Sequence, residues 1–248
     1  MAERPILVVK VGTSTLLGTH ERPSDTFGYV ADSLVKLQRQ YNVVLVTSGA
    51  IGFGVRQLGL KSRPTELHQL QALSMLGQVG LLRKWREAFD GVAIGQVLVT
   101  RNDLARASTS QLLRDSMQAV WGYGAVPIVN ENDAVSFDEI SFGDNDRLAA
   151  EVAATVGAKK LVILTDQDGI QAEFGNPQQH RLKRVRVGSV DAHIKPTLSA
   201  VGKGGASSKV QASKTALEAD VEVYIAHAAK PSAVQNALAG KVGTKIVQ

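Results

Sequence analysis

The stretch "ILVVKVG", residues 6–12, sets the fold class, because aliphatic side chains fill nearly every position of a short run. Continuous Val, Ile and Leu is typical of a strand covered on both faces, as in a parallel sheet. Similar runs recur along the chain and predict five further buried strands. They lie at 42–49, 92–100, 125–132, 160–167 and 221–227. The pattern therefore indicates an α/β protein.

Helical patterns separate these strands and predict five helices, at 26–40, 66–88, 109–122, 145–157 and 207–219. At the start of the second, Thr65 is the expected N-cap and Glu66 the acidic residue at the positive helix end. Repeated alternation of strand and helix favours layers with helices on both faces of a sheet. No proline- or serine-rich linker interrupts the chain, which predicts one domain of two lobes dividing near residue 157.

Composition limits the class of protein. The chain has 248 residues, of which 44% are hydrophobic and 21% charged, as expected of a folded domain. It contains no cysteine, so thiolate metal sites and disulfides are excluded. The apolar run near the N-terminus spans only about six residues, too short for a signal or membrane segment. These features predict a cytoplasmic protein that does not associate with membranes.

The excess of positive charge raises the possibility of nucleic-acid binding. The formal net charge is +5, and basic residues cluster in "HRLKRVRVG", residues 180–188. No aromatic side chain is interleaved for base stacking, and no known nucleic-acid module is present. The cluster is interpreted as a solvated loop or an edge strand, and no nucleic-acid partner is expected.

Small and polar residues follow four of the predicted strands, in "KVGTST", "TSGAIGFG", "NENDAV" and "TDQDGI". Ligands of open parallel sheets bind beyond the carboxyl ends of the strands. Six carboxylates also fall between residues 131 and 146, with no lysine or arginine among them. That acidic stretch allows three interpretations: a metal site, a pocket for a cationic substrate group, or a helix N-terminus within a solvated loop.

Seven motifs resemble the amino acid kinase family, and within it the glutamate 5-kinase branch. They are "VVKVGTSTL" (8–16), "VTSGAIGFG" (46–54), "GQVLVTRNDL" (95–104), "VPIVNENDAV" (126–135), "GDNDRLAAEVA" (143–153), "LTDQDGI" (164–170) and "GKGGASSK" (202–209). The resemblance implies a three-layer αβα sandwich with an open, mainly parallel central sheet. It also implies ATP-dependent phosphorylation of the γ-carboxylate of L-glutamate, the first step of proline biosynthesis. An amino-acid-binding lobe (1–157) and a nucleotide-binding lobe (158–248) are expected.

The resemblance also implies roles for individual residues. The implied catalytic residues are Lys10 and Lys209, together with Asp146, which organises the two lysines. Glutamate binding falls to four residues: Ser48, Gly49, Asp133 and Asn145, with Asn130 and Asn132 as further amide contacts. ATP binding involves Lys10 and a larger set: Gly12, Thr165, Asp166, Lys203, Gly204, Gly205, Ala206, Ser207, Ser208 and Lys209.

The residue types suit this chemistry. Phosphoryl transfer between anions needs positioning and charge neutralisation, which compact ammonium groups supply. The substrate γ-carboxylate is already ionised at neutral pH, so no general base is required. Asp133 is the expected partner of the α-ammonium, and Asp144 the expected N-cap of the following helix. Glu131, Asp138 and Glu139 need be no more than solvated loop.

Mg²⁺ is expected to accompany ATP, held by phosphate oxygens and water, and no metal-ligating protein residue is predicted. Two departures from the family pattern concern the nucleotide side: "IQAEFGNPQQH" (170–180), and Ala206 where the family has methionine. No C-terminal PUA domain is expected. Expected partners are proline as a feedback inhibitor, further copies in a homodimer or homotetramer, and glutamyl phosphate reductase.

Three other functions remain open at this stage. The acceptor could be another carboxylate or a carbamate, such as N-acetylglutamate, aspartate or carbamate. The fold could serve as a non-catalytic amino acid or nucleotide sensor. Nucleic-acid binding rests only on the positive charge and the 180–188 run.

Overall fold

The computed structural model describes residues 4–18, 25–136, 145–172, 178–189 and 206–248, with only the backbone for 206 and 207. The strands are β1 Ile6–Val11, β2 Asn42–Thr47, β3 Ile94–Val99, β4 Val126–Glu131, β5 Lys160–Thr165, β6 Gln171–Ala172, β7 His180–Arg181, β8 Arg184–Arg186, β9 Glu222–His227 and β10 Thr244–Val247. The helices are α1 Thr13–Leu17, α2 Thr26–Leu37, α3 Ala50–Gln57, α4 Leu67–Ala88, α5 Arg101–Ala105, α6 Ala107–Gly122, α7 Asn145–Val156, α8 Ala206–Glu218 and α9 Ala233–Leu238.

A single large sheet organises the described residues, with the strand order β3-β4-β2-β1-β5-β9-β10-β8. The first six strands of that order pair in parallel, β10 pairs antiparallel to β9, and β8 pairs parallel to β10. A separate two-stranded sheet joins β6 to β7. The predicted α/β class with a mainly parallel sheet is confirmed.

Helices cover both faces of the sheet and form one large hydrophobic core with each face. Alternate residues of β1 enter opposite cores: Val8 packs with helices α5 to α8, whereas Leu7 and Val9 pack with α1 to α4 and α9. All three side chains are fully buried. Helix on sheet on helix is the predicted three-layer sandwich, and it explains why neither face of β1 is open to solvent.

The six strands predicted from aliphatic runs all form, each with slightly shorter ends. The main correction concerns "TSGAIGFG", expected to be a turn, in which residues 50–57 form helix α3. The predicted N-cap of α4 is also wrong. Because the helix begins one residue later than expected, the N-cap is Glu66 and not Thr65. The Glu66 side chain makes no capping hydrogen bond. Sequence patterns also missed the short elements α1, α5, α9, β6 and β10.

The basic run at 180–188 contains β7 and β8, and β8 is an edge strand of the large sheet. Val185 is buried in one of the hydrophobic cores, while Arg184 and Arg186 on either side are exposed. The alternating basic and aliphatic residues are thus those of an edge strand with one buried face. The edge-strand interpretation is confirmed.

Within the described residues, no helix combines the length and the apolar character that crossing a bilayer requires. The division into two lobes near residue 157 stays a prediction.

Helices α3 and α4 pack with their backbones in contact, which fixes the start of α3 beside the sheet. A Cβ atom built on Gly77 of α4 would lie 1.8 Å from the carbonyl oxygen of Ala50. One built on Gly54 of α3 would lie 2.2 Å from the carbonyl oxygen of Leu73. Both glycines are therefore required by the close approach of two helices, since any side chain would force the helices apart.

Gly77→Ala should destabilise the protein, because the added methyl group meets backbone atoms that cannot move aside independently. We expect a loss of about 1–3 kcal/mol in the free energy of unfolding, the usual cost of overpacking. Gly28→Ala is the matched control: Gly28 lies in helix α2 with open space around it and should gain about 0.5–1 kcal/mol. Urea denaturation of both variants checks this, and equal effects would contradict it.

Candidate active site

The centre of the site is Asp146, which bridges two lysines from distant parts of the chain. Its Oδ1 lies 2.7 Å from Nζ of Lys10 on β1, and its Oδ2 lies 3.0 Å from Nζ of Lys209 on α8. Ser208 also donates a hydrogen bond of 3.0 Å from its Oγ to Oδ2. The structure therefore brings together the three residues predicted to be catalytic.

The backbone places each member of this cluster. Lys10 lies in the central strand, paired with Val46 of β2 and Ile163 of β5, so its side chain leaves from the middle of the sheet. Asp146 is the second residue of α7, where the helix dipole favours a negative charge. Lys209 lies in the first turn of α8. One carboxylate thus joins the sheet to two helices.

Burial and charge act against each other in this cluster. Asp146 is fully buried and Lys10 is 4% exposed. Burial raises the pKa of Asp146, but the ammonium groups of Lys10 and Lys209 outweigh it and hold the pKa below its usual range. Burial lowers the pKa of Lys10 and is opposed by Asp146, while Lys209 adds to the lowering. Two ammoniums and one carboxylate leave a net charge of +1, so the cluster can attract an anion.

Gly12 controls the space next to the Lys10 ammonium. A Cβ atom at this position would lie 3.2 Å from Nζ of Lys10, closer than most such contacts. Gly12 is also the N-cap of α1, directly after β1. Its small size therefore keeps the approach to the ammonium free.

Asn145, the neighbour of Asp146, is fixed by a network of amide groups beneath the site. Its Nδ2 donates to the carbonyl oxygen of Thr47 at 2.5 Å and to Oδ1 of Asn130 at 2.9 Å. Asn130 in turn donates from Nδ2 to Oε1 of Gln78 on α4, at 2.9 Å. Thr47 is itself held by Trp85, whose Nε1 donates to the Thr47 hydroxyl at 2.9 Å.

The predicted glutamate residues Ser48 and Gly49 lie between β2 and α3, directly after Thr47. Gly49 is the N-cap of α3 and has φ +111°, a conformation that favours glycine. The Thr47 carbonyl bonded to Asn145 immediately precedes Ser48, so these two predicted residues belong to the same edge of the sheet as Asn145.

Asp133 lines a cavity of about 530 Å³ that α4, strand β3 and the carboxyl end of β4 enclose. Glu131, Asn132, Gln78 and Ser74 line it as well. Burial raises the pKa of Asp133 to about 6, and the nearby charge of Arg63 opposes that rise. A half-buried carboxylate at the wall of a cavity is a suitable partner for a cation.

On the predicted nucleotide side, Thr165 and Asp166 lie at the end of β5, next to the end of β1. The Thr165 hydroxyl donates to the Asp166 carboxylate at 3.0 Å, and both are accessible. Ala206, Ser207, Ser208 and Lys209 form the first turn of α8. Of these, Ser208 and Lys209 contact Asp146 through their side chains.

Some predicted residues lie outside the described ranges: Lys203, Gly204, Gly205, Asp144, Asp138 and Glu139. The capping role of Asp144 and the nucleotide role of 203–205 stay predictions. Within the described residues, no three His, Asp or Glu side chains are grouped so that they could hold a metal ion.

A second cavity, of about 380 Å³, was not predicted. It lies near the β6–β7 hairpin and is lined by Asp168, Lys230 and His180, among others. Lys230 contacts both carboxylate oxygens of Asp168, at 2.7 and 2.9 Å. No local pattern indicates this cavity, because Asp168 and Lys230 are 62 positions apart and each resembles an ordinary loop charge.

Residues 5–227 match the model of the Amino acid kinase family. The chain belongs to the amino acid kinase family. Curated relatives include a glutamate 5-kinase of Thermus thermophilus, 38% identical over 94% of this chain and 65% of the relative. The glutamate 5-kinase of Serratia proteamaculans is 37% identical over 96% of this chain and 68% of the relative. This amino acid kinase thus spans about two thirds of the length of these relatives.

Solved structures agree on the fold. The UMP kinase of Ureaplasma parvum superimposes with a TM-score of 0.66 over the whole of both chains, at 14% identity. At that identity the likeness supports the three-layer amino acid kinase fold and no particular substrate.

The raised pKa of Asp133 predicts how stability changes with pH in this amino acid kinase. A carboxyl with a folded pKa of about 6, above its ordinary value of 3.8, binds more protons folded than unfolded between those values. Stability is therefore lost as the pH rises through this window. Asp133→Asn should remove that loss and stabilise the ligand-free protein at pH 7.5 by about 1–3 kcal/mol.

Urea unfolding at several pH values checks this expectation. The advantage of Asp133→Asn should shrink as the pH falls from about 6 to about 4, where the carboxyl is protonated in both states. A constant difference between wild type and Asp133→Asn would contradict the assignment.

Proposed function

We propose that this protein phosphorylates the γ-carboxylate of L-glutamate with ATP, the reaction of a glutamate 5-kinase. The observation that carries the proposal is the bridge from Asp146 to Lys10 and Lys209. It joins Lys10 of β1 to Lys209 in the first turn of α8, and Asn145 of the amide network is the residue directly before Asp146. The names of the curated relatives support glutamate as the acceptor.

The chemistry needs little beyond positioning and positive charge. Because the γ-carboxylate is ionised at neutral pH, it can attack the γ-phosphorus of ATP without a base, while the bond from that phosphorus to the β,γ-bridging oxygen breaks and ADP leaves. Negative charge then gathers on the oxygens of the transferring phosphoryl group, and the Lys10 and Lys209 ammoniums neutralise it. Asp146 pairs with both lysines and holds their ammonium groups in place. Asp146 is not suited to act as a general base, because both ammonium groups hold its pKa low.

Asp133 distinguishes among acceptors. At neutral pH its carboxylate is mostly charged and lies at the wall of the larger cavity, suited to a free α-ammonium. An N-acetylated substrate has no such cation and would leave Asp133 with only the nearby charge of Arg63. The residues therefore favour glutamate or aspartate over N-acetylglutamate, and the relatives favour glutamate.

Mg²⁺, when bound, would neutralise and orient the nucleotide phosphates. The described residues contain no metal-ligating cluster, so the protein residues do not by themselves define where the ion would lie. No step of the mechanism is assigned to it. Dependence on Mg²⁺ belongs to the proposal.

The wider biological setting also stays a prediction: a place in proline biosynthesis, inhibition by proline, a homodimer or homotetramer, and hand-over to glutamyl phosphate reductase. A cytoplasmic location is expected on the same basis. None of these bears on the test of the activity itself.

The purified protein should form an acyl phosphate that depends on glutamate, ATP and Mg²⁺ and that hydroxylamine traps as a hydroxamate. Aspartate, N-acetylglutamate and carbamate serve as competing acceptors in the same assay. Glutamate should give the highest kcat/KM. Absence of glutamate-dependent trapping would overturn the proposal, and binding of glutamate without turnover would favour the sensor function instead.

Lys10→Met should lower kcat by about 10²–10³-fold, because it removes charge stabilisation that acts in the transition state. Methionine keeps much of the buried stem, and Asp146 retains Lys209 and Ser208 as partners. Lys36→Met removes an exposed lysine that also pairs with an aspartate, Asp32, and should leave kcat unchanged. Steady-state kinetics measures both, and an unchanged kcat in Lys10→Met would remove Lys10 from the mechanism.

A further inference from the structure

The hydrogen bonds among the side chains of Asn145, Asn130 and Gln78 run in one fixed direction. Backbone groups fix it, because they determine which end of each amide side chain is the nitrogen. The Glu131 backbone N–H donates to Asn130 at 2.9 Å, so the atom that receives it must be the Asn130 oxygen. The remaining end of Asn130 is then its NH₂ group. Backbone hydrogen bonds thus set the direction of the whole chain of amides.

The assignment of Asn130 determines which end of the Asn145 amide faces it. The atom of Asn145 that faces both Asn130 Oδ1 and the Thr47 carbonyl must be a donor, so it is Nδ2. Both hydrogens of that NH₂ group are used inside the protein. Asn145 therefore has only its carbonyl oxygen left for a ligand, and it can accept but not donate.

The assignment of Asn130 also determines which end of the Gln78 amide faces it. The NH₂ group of Asn130 donates to Gln78, which must present Oε1 to it. The Gln78 NH₂ group then remains for the cavity that Gln78 lines together with Asp133. It makes no other hydrogen bond among the described residues, and it offers two N–H donors.

We propose that Gln78 is a specificity-determining residue that donates a hydrogen bond to the α-carboxylate of the substrate, while Asn145 accepts one from the α-ammonium. This inference rests on the proposed glutamate kinase function and adds a residue and a binding polarity to it. Asp133, on the same cavity, is the charged partner of the ammonium. The γ-carboxylate is left for Lys10 and Lys209.

The assignment of the α-carboxylate follows from connectivity. The ammonium and the α-carboxylate are attached to one carbon, so a donor for the carboxylate must lie near the groups that receive the ammonium. Gln78 meets that requirement, since the same cavity holds Asp133 and since Asn130 joins Gln78 to Asn145. A carboxylate facing a donor amide gains a charge-assisted hydrogen bond.

Gln78→Glu gives the sharpest test, because it reverses the polarity at one position with almost no change in shape. A glutamate here still accepts the hydrogen bond from Asn130, but it faces the substrate with an acceptor. The probe is L-isoglutamine, in which the α-carboxylate is an amide and the γ-carboxylate remains available for phosphorylation. Hydroxamate trapping measures kcat/KM for both substrates.

In Gln78→Glu we expect kcat/KM for L-glutamate to fall about 10- to 100-fold, and that for L-isoglutamine to fall less than about threefold. The preference for glutamate over its α-amide should therefore narrow at least about threefold, and most of the change should lie in KM. Gln69→Glu adds the same charge to an exposed position of the same helix and should leave both values unchanged. Equal losses for both substrates, or no loss, would overturn the role of Gln78.

A second variant guards against a folding defect. Gln78→Met removes the donor without adding charge, and it should also weaken glutamate more than isoglutamine. Circular dichroism and urea denaturation show whether each variant is folded. If the wild type itself gives no hydroxamate, the proposed function fails; if it is active but the preference stays unchanged in both folded variants, only the role of Gln78 fails. In that case Arg83 or Arg86, which line the same cavity, would be the alternative partners of the carboxylate.

Discussion

One buried carboxylate, that of Asp146, fixes the position of the central strand β1 relative to the start of helix α8. Asp146 would be very costly to bury alone, and it is stable there because two ammonium groups and a hydroxyl surround it. Those partners come from the central strand and from the first turn of α8. The geometry that suits phosphoryl transfer is therefore also the geometry that makes the buried charge tolerable. Folding and chemical competence depend on the same contacts.

Much of this could be predicted from the sequence, because the relevant signals are local. The aliphatic runs identified six strands of the large sheet, since burial on both faces of most of them favours apolar side chains. Lys10 stood out as a charge inside such a run, whereas the role of Asp146 was implied only by the family resemblance. Their meeting across more than half of the chain required the resemblance to a known family, since no spacing in the sequence encodes it.

What the sequence missed has a tertiary cause. Helix α3 is rich in glycine and resembles a turn, yet it forms because Gly54 and Gly77 allow it to pack directly on α4. Gln78 lies among several polar residues of α4 that resemble a solvated helix face. Only its contact with Asn130, 52 positions away, distinguishes it from its neighbours. Residues that act through such contacts cannot be selected from residue type and spacing alone.

The backbone anchoring of Asn130 has a consequence for how acceptor preference could evolve. The Glu131 N–H and the Thr47 carbonyl set the direction of the amides, so that direction depends on the backbone at the ends of β4 and β2. Positions 78 and 133 lie at the outer end of the arrangement, on a helix and a loop, apart from the three charged residues at the centre. Under the proposed function, changes at those two positions would alter acceptor preference while Lys10, Lys209 and Asp146 stay as they are.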